Sequence, residues 1–554
     1  MPSQHVTVTF TRAVTVAAGV FAPGHLGELT RYLPFELVDD VLEQTRTVQR
    51  RLRVLPSRVG VYFVLALGLF PQLGYARVWA KLVAGLTAAP NVAVAHPSEK
   101  ALRDLRRRLG PAPLRALFEV VAGPLAQPRT PGTCFAGMRT VAFDGLNSIK
   151  VPDTDRNRSW MGRIRYRMGF AGYPTLRLMC LVETGTRALL GAVIGAPGDH
   201  SGDRDEATLA RRLLARLAPG MLVLLDRGFD SAAFLTAVHA TGAHLLARAR
   251  SGRIPPVLQQ FPDGSYLSEL DGLAVRIIEA DLRMHGGDGT QIADRYRLIT
   301  TLLDHRRHPA AALIRLYHER WEIETAYLAL RHTMLDGHVL RSGDRPGVEQ
   351  EVWALLTLYQ LLRMAMTAAI ETRPATNPDR ASFTTALQAA RDQLITAAGI
   401  CPHPDTDPAE PVDLLGAIGR AALATLLPAR RARFSARTVK CGTSRYLHCD
   451  DGRPTTSTAI TTFEICMHTP PVDLSPRARR PRDRNKPRTP RPPTRRDRVT
   501  ALLRTDPRRG WSGTELAEKL QVKPHNMLTQ LAEWSRLGFI TRTNTGTYAL
   551  DTPL

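Results

Sequence analysis

Met221 to Leu225, MLVLL, is the most hydrophobic short run in the chain, and it passes directly into Asp226-Arg227-Gly228-Phe229. A run apolar at every position has no face to give to water, so it reads as a strand buried on both sides, the environment of a parallel sheet between helices. A carboxylate that follows such a strand, with Gly next and a helix start at Asp230 or Ser231, stands at the edge where α/β sheets bind ligands. The chain is therefore expected to be α/β, with Asp226 at its site.

A second run fits the same frame. Arg139 to Gly145, RTVAFDG, is short, largely apolar and partly β-branched, and ends in Asp-Gly. It reads as a strand that delivers Asp144 at its C-terminal edge, although many Asp-Gly pairs serve only as turns. Tyr173–Glu183 and Arg187–Ala196, joined by Thr184-Gly185-Thr186, predict an antiparallel hairpin that completes a three-stranded meander. Asp205–Leu217 predicts an amphipathic helix, and His244–Arg248 a further strand. Residues 249–295 hold β-prone runs (Tyr266–Leu270, Leu273–Ile278) separated by Asp-Gly and Gly-Gly turns, and read as a β-rich insertion. Tyr296–Leu303 is the last strand, and Pro309 opens the next helix.

That helix carries LYHERWEIETAYLALR, Leu316 to Arg331. Tyr317, Arg320, Glu324 and Arg331 are three, four and seven residues apart, which at roughly 100° per residue sets all four within an arc of about 60°. A carboxylate suits a divalent metal, and Arg forks with a phenol suit phosphate oxygens. The same pattern also describes an amphipathic surface helix with solvated charges. Trp321 and Tyr327 are candidates to stack on an unpaired base, with a core role favoured for Trp321.

Formal net charge is +23, and of 74 basic residues only seven are Lys. An Arg excess of this size favours a polyanionic partner over a merely soluble, charged protein. The six cysteines, Cys134, Cys180, Cys401, Cys441, Cys449 and Cys466, include no CxxC pair and no zinc-like spacing, and read as reduced thiols of a cytoplasmic protein. Val59–Phe70 is the longest apolar run; it falls short of the ~20 residues that span a bilayer and reads as a buried helix. No membrane association is expected.

The pattern Tyr, two residues, Arg, three residues, Glu, six residues, Lys or Arg, set in LY..RW.IE, resembles the signature of the insertion-sequence-four family of bacterial DDE transposases. DRGF at Asp226 resembles the family's second motif. The text after Asp144, with VPDT and Asn157, resembles the insertion that follows the first catalytic Asp. The likeness covers about residues 21 to 370. It implies a ribonuclease-H-like catalytic core in which Asp144, Asp226 and Glu324 hold two Mg2+ ions, with Mn2+ as the alternative ion. It further implies cut-and-paste transposition: phosphoryl transfer on transposon terminal inverted repeats and target DNA, by a homodimer on paired ends, with Tyr317, Arg320 and Arg331 holding phosphates. Arg331 departs from the family's usual Lys. Arg227 either contacts DNA or pairs with a neighbouring carboxylate. Two rivals stay open, a DNA-binding regulator derived from a transposase and a nuclease without strand transfer.

Flanking segments complete the expected organisation. Residues 1–123 read as an N-terminal helical domain, with helices at Gly27–Tyr32, Pro34–Arg53, Val59–Phe70 and Tyr75–Leu86; a DNA-binding role for it is implied by the family resemblance alone, and Arg46, Arg50, Arg51 and Arg53 read equally well as a solvated face. A basic helical region comes next, bearing Arg103, Arg106, Arg107, Arg108 and Arg115. The catalytic core is expected over 138–372 and a helical extension over 376–470. Residues 471–497 form a basic Pro/Arg linker: Pro476 to Arg498 has 11 Lys or Arg against two Asp and reads as extended and mobile. Residues 498–554 resemble a winged helix-turn-helix, with a capping box at Ser512 and Glu515 and a recognition helix at Pro524–Leu537. Its base-reading candidates are His525, Asn526, Thr529 and Gln530. A three-helix protein-interaction module is the other reading.

Overall fold

The computed structural model describes residues 24–49, 55–87, 94–161, 165–166, 169–170, 172–195, 206–250, 252–286, 289, 291–321, 326–397, 415–428, 433–434, 458–468, 495–506, 509–536, 540–543 and 547–550. It divides into two units, Met1–Leu474 and Ser475–Leu554. In chain order the strands of the first are β1 (Cys134–Phe135), β2 (Met138–Lys150), β3 (Arg165–Tyr166), β4 (Gly169–Phe170), β5 (Thr175–Glu183), β6 (Leu189–Gly195), β7 (Met221–Leu225), β8 (His244–Arg248), β9 (Gln259–Gln260), β10 (Tyr266–Leu270), β11 (Leu273–Gly286), β12 (Gln291–Thr300), β13 (Arg433–Phe434) and β14 (Thr458–Met467).

One sheet runs β13-β14-β11-β12-β8-β7-β2-β5-β6. Strands β2, β5 and β6 form the antiparallel meander, while β7 lies parallel to both β2 and β8. Three antiparallel strands followed by two parallel ones is the order expected of a ribonuclease-H-like core. Strand alternation splits the apolar residues of this sheet between two cores. Ala142, Leu222, Leu224 and Leu246 join one, together with Leu355 and Leu358 of the Arg345–Glu371 helix. Val141, Phe143, Val223, Leu225, Leu245 and Ala247 join the other, against Phe234, Leu235 and Val238 of the Ala232–His239 helix. Burial on both faces is the physical reason that MLVLL has no polar position.

The first core also contains Val61, Phe63, Leu65 and Leu69 of the Ser57–Leu69 helix, so the N-terminal helices pack into the same interior as the Arg345–Glu371 helix. That long helix is apolar enough to cross a membrane, yet 89% of its most apolar window is buried inside the protein, as in a core helix. Its start is capped by the Asp344 carboxylate, which accepts from Gly347 N at 3.0 Å.

Several boundaries differ from the sequence reading. The helix expected over Pro34–Arg53 is Phe35–Gln44. It ends where the Thr45 hydroxyl donates back to Val41 O at 2.7 Å and Arg46 takes φ 55°. Arg50, Arg51 and Arg53 lie outside the described residues. Arg106, of the basic helical region, is buried at 6% exposed. The β-rich insertion is more extended than its apolar runs suggested: β11 continues to Gly286 and pairs with β12 over ten residue pairs. Between β10 and β11 the Asp271-Gly272 turn has positive φ at both positions, 50° and 88°, the geometry that closes a two-residue hairpin. The segment read as a helical extension has helices at Phe383–Ile395 and Gly416–Ala424, but it also contributes β14, which pairs antiparallel with β11. Its TAITTFEICM sequence is β-branched and its partner is remote, so no local helix period was present to read.

The second unit has helices at Arg495–Thr505, Gly513–Lys519 and Pro524–Arg536, then a hairpin of Thr541–Arg542 with Tyr548–Ala549. Trp511 bridges to Tyr548. Val499, Leu503, Trp511, Leu516, Met527, Leu531, Ile540 and Tyr548 form its core. The capping box is present: Ser512 Oγ accepts from Glu515 N at 3.2 Å, and the Glu515 carboxylate accepts from Ser512 N at 3.1 Å. Residues 471–494, most of the basic linker, lie outside the described residues.

Candidate active site at the mouth of two parallel strands

Strands β2 and β7 pair in parallel from Arg139↔Met221 to Ala142↔Leu224. Continued two residues past that pairing, the register brings Asp144, still within β2, level with Asp226, just past the end of β7. Strand β7 stops at Leu225, whereas β2 continues to Lys150 with β5 as its only long partner, so the two carboxylates stand where the parallel ladder opens. Alternation also fixes their side. Asp144 is two residues beyond Ala142, and Asp226, whose backbone is extended at φ −81° and ψ 177°, is two beyond Leu224. Both therefore project to the face that carries the first core. Asp144 is not at a strand terminus, as the sequence reading had it, but at the end of a pairing.

The segment with the four-residue signature packs on that same face. Tyr317, Ala326, Tyr327 and Leu330 all belong to the first core. It is not one regular α-helix. The Ala310–His318 helix gives way to a 3-10 turn at Glu319–Trp321, and after residues 326–328 the chain winds as a π-helix over Ala329–Met334. Each change of winding rotates the turns beyond it, so a single 100° step across Leu316–Arg331 does not describe the side-chain directions. Glu324 and the side chain of Trp321 lie outside the described residues.

Two phenols from this segment end on the two catalytic-strand candidates. Tyr317, 4% exposed, donates its hydroxyl to Leu225 O at 3.0 Å, the carbonyl just before Asp226. Tyr327, 6% exposed, donates to the main-chain carbonyl of Asp144 itself. Burial raises the pKa of each above that of an ordinary tyrosine, so both stay protonated donors. Tyr317, expected on phosphate, is thus buried on a backbone carbonyl, and Tyr327, expected as a stacking platform, is buried on another. Pattern reading named Tyr327 only as a stacking candidate and missed its bond to the Asp144 backbone, although it lies three positions after Glu324 in the chain.

The remaining cations spread around this mouth. Arg331 Nη1 donates to Ser148 Oγ at 3.2 Å; Ser148 sits where the β2–β5 register shifts, between Leu146 and Ile149. The Arg320 guanidinium carbon lies 6.0 Å from the Tyr317 ring centre. Arg227 is exposed beside Asp226. The Asp226 carboxylate accepts from Gly228 N at 2.7 Å and so caps the turn Arg227–Phe229. Arg250, just past β8, steadies that turn, with Nε donating to Arg227 O at 3.3 Å. Buried Asp230 accepts from Arg250 N at 2.7 Å and pairs with Arg253 at 2.7 Å. Asn157, in the stretch after Asp144 that resembles the family, is fully buried, its amide donating to Pro152 O and Ser342 O at 3.0 Å each. His525, Asn526 and Thr529 are exposed on the Pro524–Arg536 helix of the second unit; Gln530 is half-buried and accepts from Arg495 at 3.1 Å.

The Asp144 and Asp226 carboxylates are hard oxygen donors of the kind that suit Mg2+ or Mn2+. Among the described residues no three His, Cys, Asp or Glu side chains gather as a metal-holding group. The donor chemistry nonetheless fits a divalent cation, since the β2–β7 register, continued, carries two carboxylates to one face of the sheet.

Residues 23–119 match the family described as insertion element 4 transposase N-terminal, and residues 136–361 match the transposase DDE domain. The chain is 27% identical over 428 residues to the transposase InsG for insertion sequence element IS4 of Escherichia coli (strain K12), covering 75% of this chain and 92% of that protein. It is 28% identical over 148 residues to a putative transposase, InsZ, of the same organism, covering 26% of this chain and 48% of that protein. Among solved structures, a piggyBac transposase synaptic complex with hairpin DNA is similar at a TM-score of 0.37 and 10% identity, over 72% of this chain and 84% of that one.

Proposed function

Because the chain belongs to the insertion-sequence-four family of DDE transposases and is a metal-dependent DNA transposase, we propose that Asp144, Asp226 and Glu324 are its catalytic carboxylates and that they hold two Mg2+ ions, or Mn2+ in their place. The reaction is cleavage at transposon ends followed by strand transfer to target DNA. The observation that carries this reading is the β2–β7 register, which, continued past Ala142↔Leu224, brings Asp144 level with Asp226 on the face where Tyr317 and Tyr327 pack. When bound, such ions would lower the pKa of a water or a DNA 3′-hydroxyl and neutralise the departing oxygen during in-line displacement.

The chain's own residues bind and orient. Arg227, Arg320 and Arg331 surround the carboxylates and hold backbone phosphates of the DNA end, while the Asp226 carboxylate and Arg250 keep the Arg227–Phe229 turn in place. In the second unit, three helices and a two-stranded hairpin support a winged helix-turn-helix, with Pro524–Arg536 as the recognition helix and His525, Asn526, Thr529 and Gln530 toward the bases. The net charge of +23 adds sequence-independent affinity for terminal repeats and target alike. The active form is a homodimer on paired ends, in the bacterial cytoplasm with the nucleoid.

Asp226→Asn tests the reading. Metal-dependent end cleavage should fall to background while binding to end-bearing DNA persists. A variant that still cleaves would remove Asp226 from the chemistry, and a wild-type protein that cuts without strand-transfer products would be a nuclease.

A further inference from the structure

The two buried phenols are more than core filling. Resting on the proposed roles of Asp144, Asp226 and Glu324, we infer that Tyr327 is a positioning residue for Asp144, one jaw of a clamp whose other jaw is Tyr317 and which sets the spacing of the carboxylates.

The geometry is specific. Tyr317 and Tyr327 lie one on each side of Glu324 in the chain. Tyr317 donates to the carbonyl preceding Asp226 at 3.0 Å, and Tyr327 donates to the carbonyl of Asp144. Those carbonyls belong to the two strands whose parallel pairing ends at Ala142↔Leu224, so no ladder bond between β2 and β7 joins the strands at the level of the carboxylates. The bonds from Tyr317 and Tyr327 reach the two strands at that level. Tyr327 is also backed by Cys180, which is 0% exposed, faces Asp144 in the β2–β5 register and belongs to the same core. Both rings are buried, and Tyr317 packs edge-on against Tyr296 with ring centres 5.6 Å apart. A two-metal site tolerates little drift in ligand spacing, because its ions sit only about 3.5–4 Å apart. Loss of one jaw should therefore weaken metal uptake before it weakens the fold.

The matched control lies elsewhere in the same protein. Tyr62 is also buried and donates to a main-chain carbonyl, Leu33 O at 2.7 Å, in the N-terminal helices. Tyr327→Phe, Tyr317→Phe and Tyr62→Phe each delete one hydroxyl and keep the ring. End cleavage by the full-length protein is measured across a Mg2+ titration, beside thermal unfolding without metal. Tyr327→Phe should raise the half-saturating Mg2+ concentration about two- to tenfold, the worth of one such hydrogen bond. Mn2+ should restore most of the rate, as a cation that binds the same oxygen ligands more tightly. Tyr317→Phe should shift in the same direction and carries the test should Tyr327→Phe not fold. Tyr62→Phe should lower the unfolding temperature and leave the titration where it was.

A Tyr327→Phe titration that coincides with wild type, or one that moves no further than that of Tyr62→Phe, would overturn the clamp. Asp144→Asn run beside them separates the two levels. If it is inactive, a null result for Tyr327→Phe sinks the clamp alone; if it still cleaves, the proposed roles of the carboxylates fall as well.

Discussion

Arg106, in the Glu99–Leu109 helix, is ion-paired with Glu351 of the long core helix at 3.1 Å, and both side chains are only 6% exposed. The guanidinium also donates to Gln350 at 2.9 Å and Ser342 at 3.1 Å, and the second Glu351 oxygen accepts from Arg341 N at 2.8 Å. An Arg from the basic N-terminal region thus bonds the N-terminal helices to the catalytic core rather than meeting DNA. Removing either partner leaves a buried charge without its counterion, which costs about 3–5 kcal/mol. Arg106→Met and Glu351→Gln should each show that loss in denaturant unfolding, and the double variant should lose clearly less than the sum. Additive losses would mean the pair acts as two unrelated contacts.

His25 makes stability depend on pH. It is fully buried; Gly27 N donates to its Nδ1 at 3.0 Å, so Nε2 carries the proton and donates to Leu82 O at 2.7 Å. Burial lowers its pKa from 6.5 to about 4, against a smaller upward pull from the Leu82 carbonyl. Between those values the unfolded chain takes up a proton that the folded chain refuses, so stability falls as pH drops from about 6.5 to about 4 and is fully present above that window. The size is on the order of a few kcal/mol. Denaturant midpoints across this range should decline more steeply for wild type than for His25→Gln. Parallel declines would assign the pH effect to other groups.

Arg331 tests whether a fork or only a charge is needed. Its bond to Ser148 at 3.2 Å orients a planar guanidinium along β2, close in the chain to Asp144. Arg331→Ala should lower kcat/KM for end cleavage by roughly ten- to a hundredfold, the range for one charge-assisted hydrogen bond. Arg331→Lys, the residue usual in the family, should retain part of the activity, since it keeps the cation but not the fork. Equal activity of the two variants would show that charge is immaterial at this position.

The second unit should contribute affinity and base preference without touching the chemistry. Deleting Ser475–Leu554 removes the described helices and hairpin together with the basic tract before them. The salt dependence of DNA binding should flatten, with the slope falling by about 0.9 for each phosphate that the truncated protein no longer neutralises. Asn526→Ala, on an exposed position of the third helix, should relax discrimination between end sequences by about 1–3 kcal/mol while leaving the salt slope in place. A change of slope with unchanged discrimination would make Asn526 a backbone contact.

Local composition was enough for elements whose own residues dictate them. MLVLL could only be a strand buried on both faces, and the structure gives it the bounds Met221–Leu225. Thr184-Gly185-Thr186 closes the expected hairpin, with Gly185 at φ 75°, and Ser512 with Glu515 forms the expected capping box. These signals are short-range: an unbroken apolar run, a left-handed turn, a side chain bonding to a backbone three residues away. The family likeness rested on such text too.

What tertiary structure decided is where remote backbones meet. The apolar text gives no number for the β2–β7 register, and a shift by one residue would have turned Asp144 and Asp226 to opposite faces. That β14 would lengthen the insertion sheet, or that Arg106 would find Glu351, depends on partners more than a hundred residues away. The phenols of Tyr317 and Tyr327 have main-chain carbonyls as acceptors, and every residue supplies one, so sequence names the donor but not where it lands. Only packing Tyr317 and Tyr327 against β2 and β7 selects those two carbonyls, because a buried hydroxyl is costly to leave unbonded.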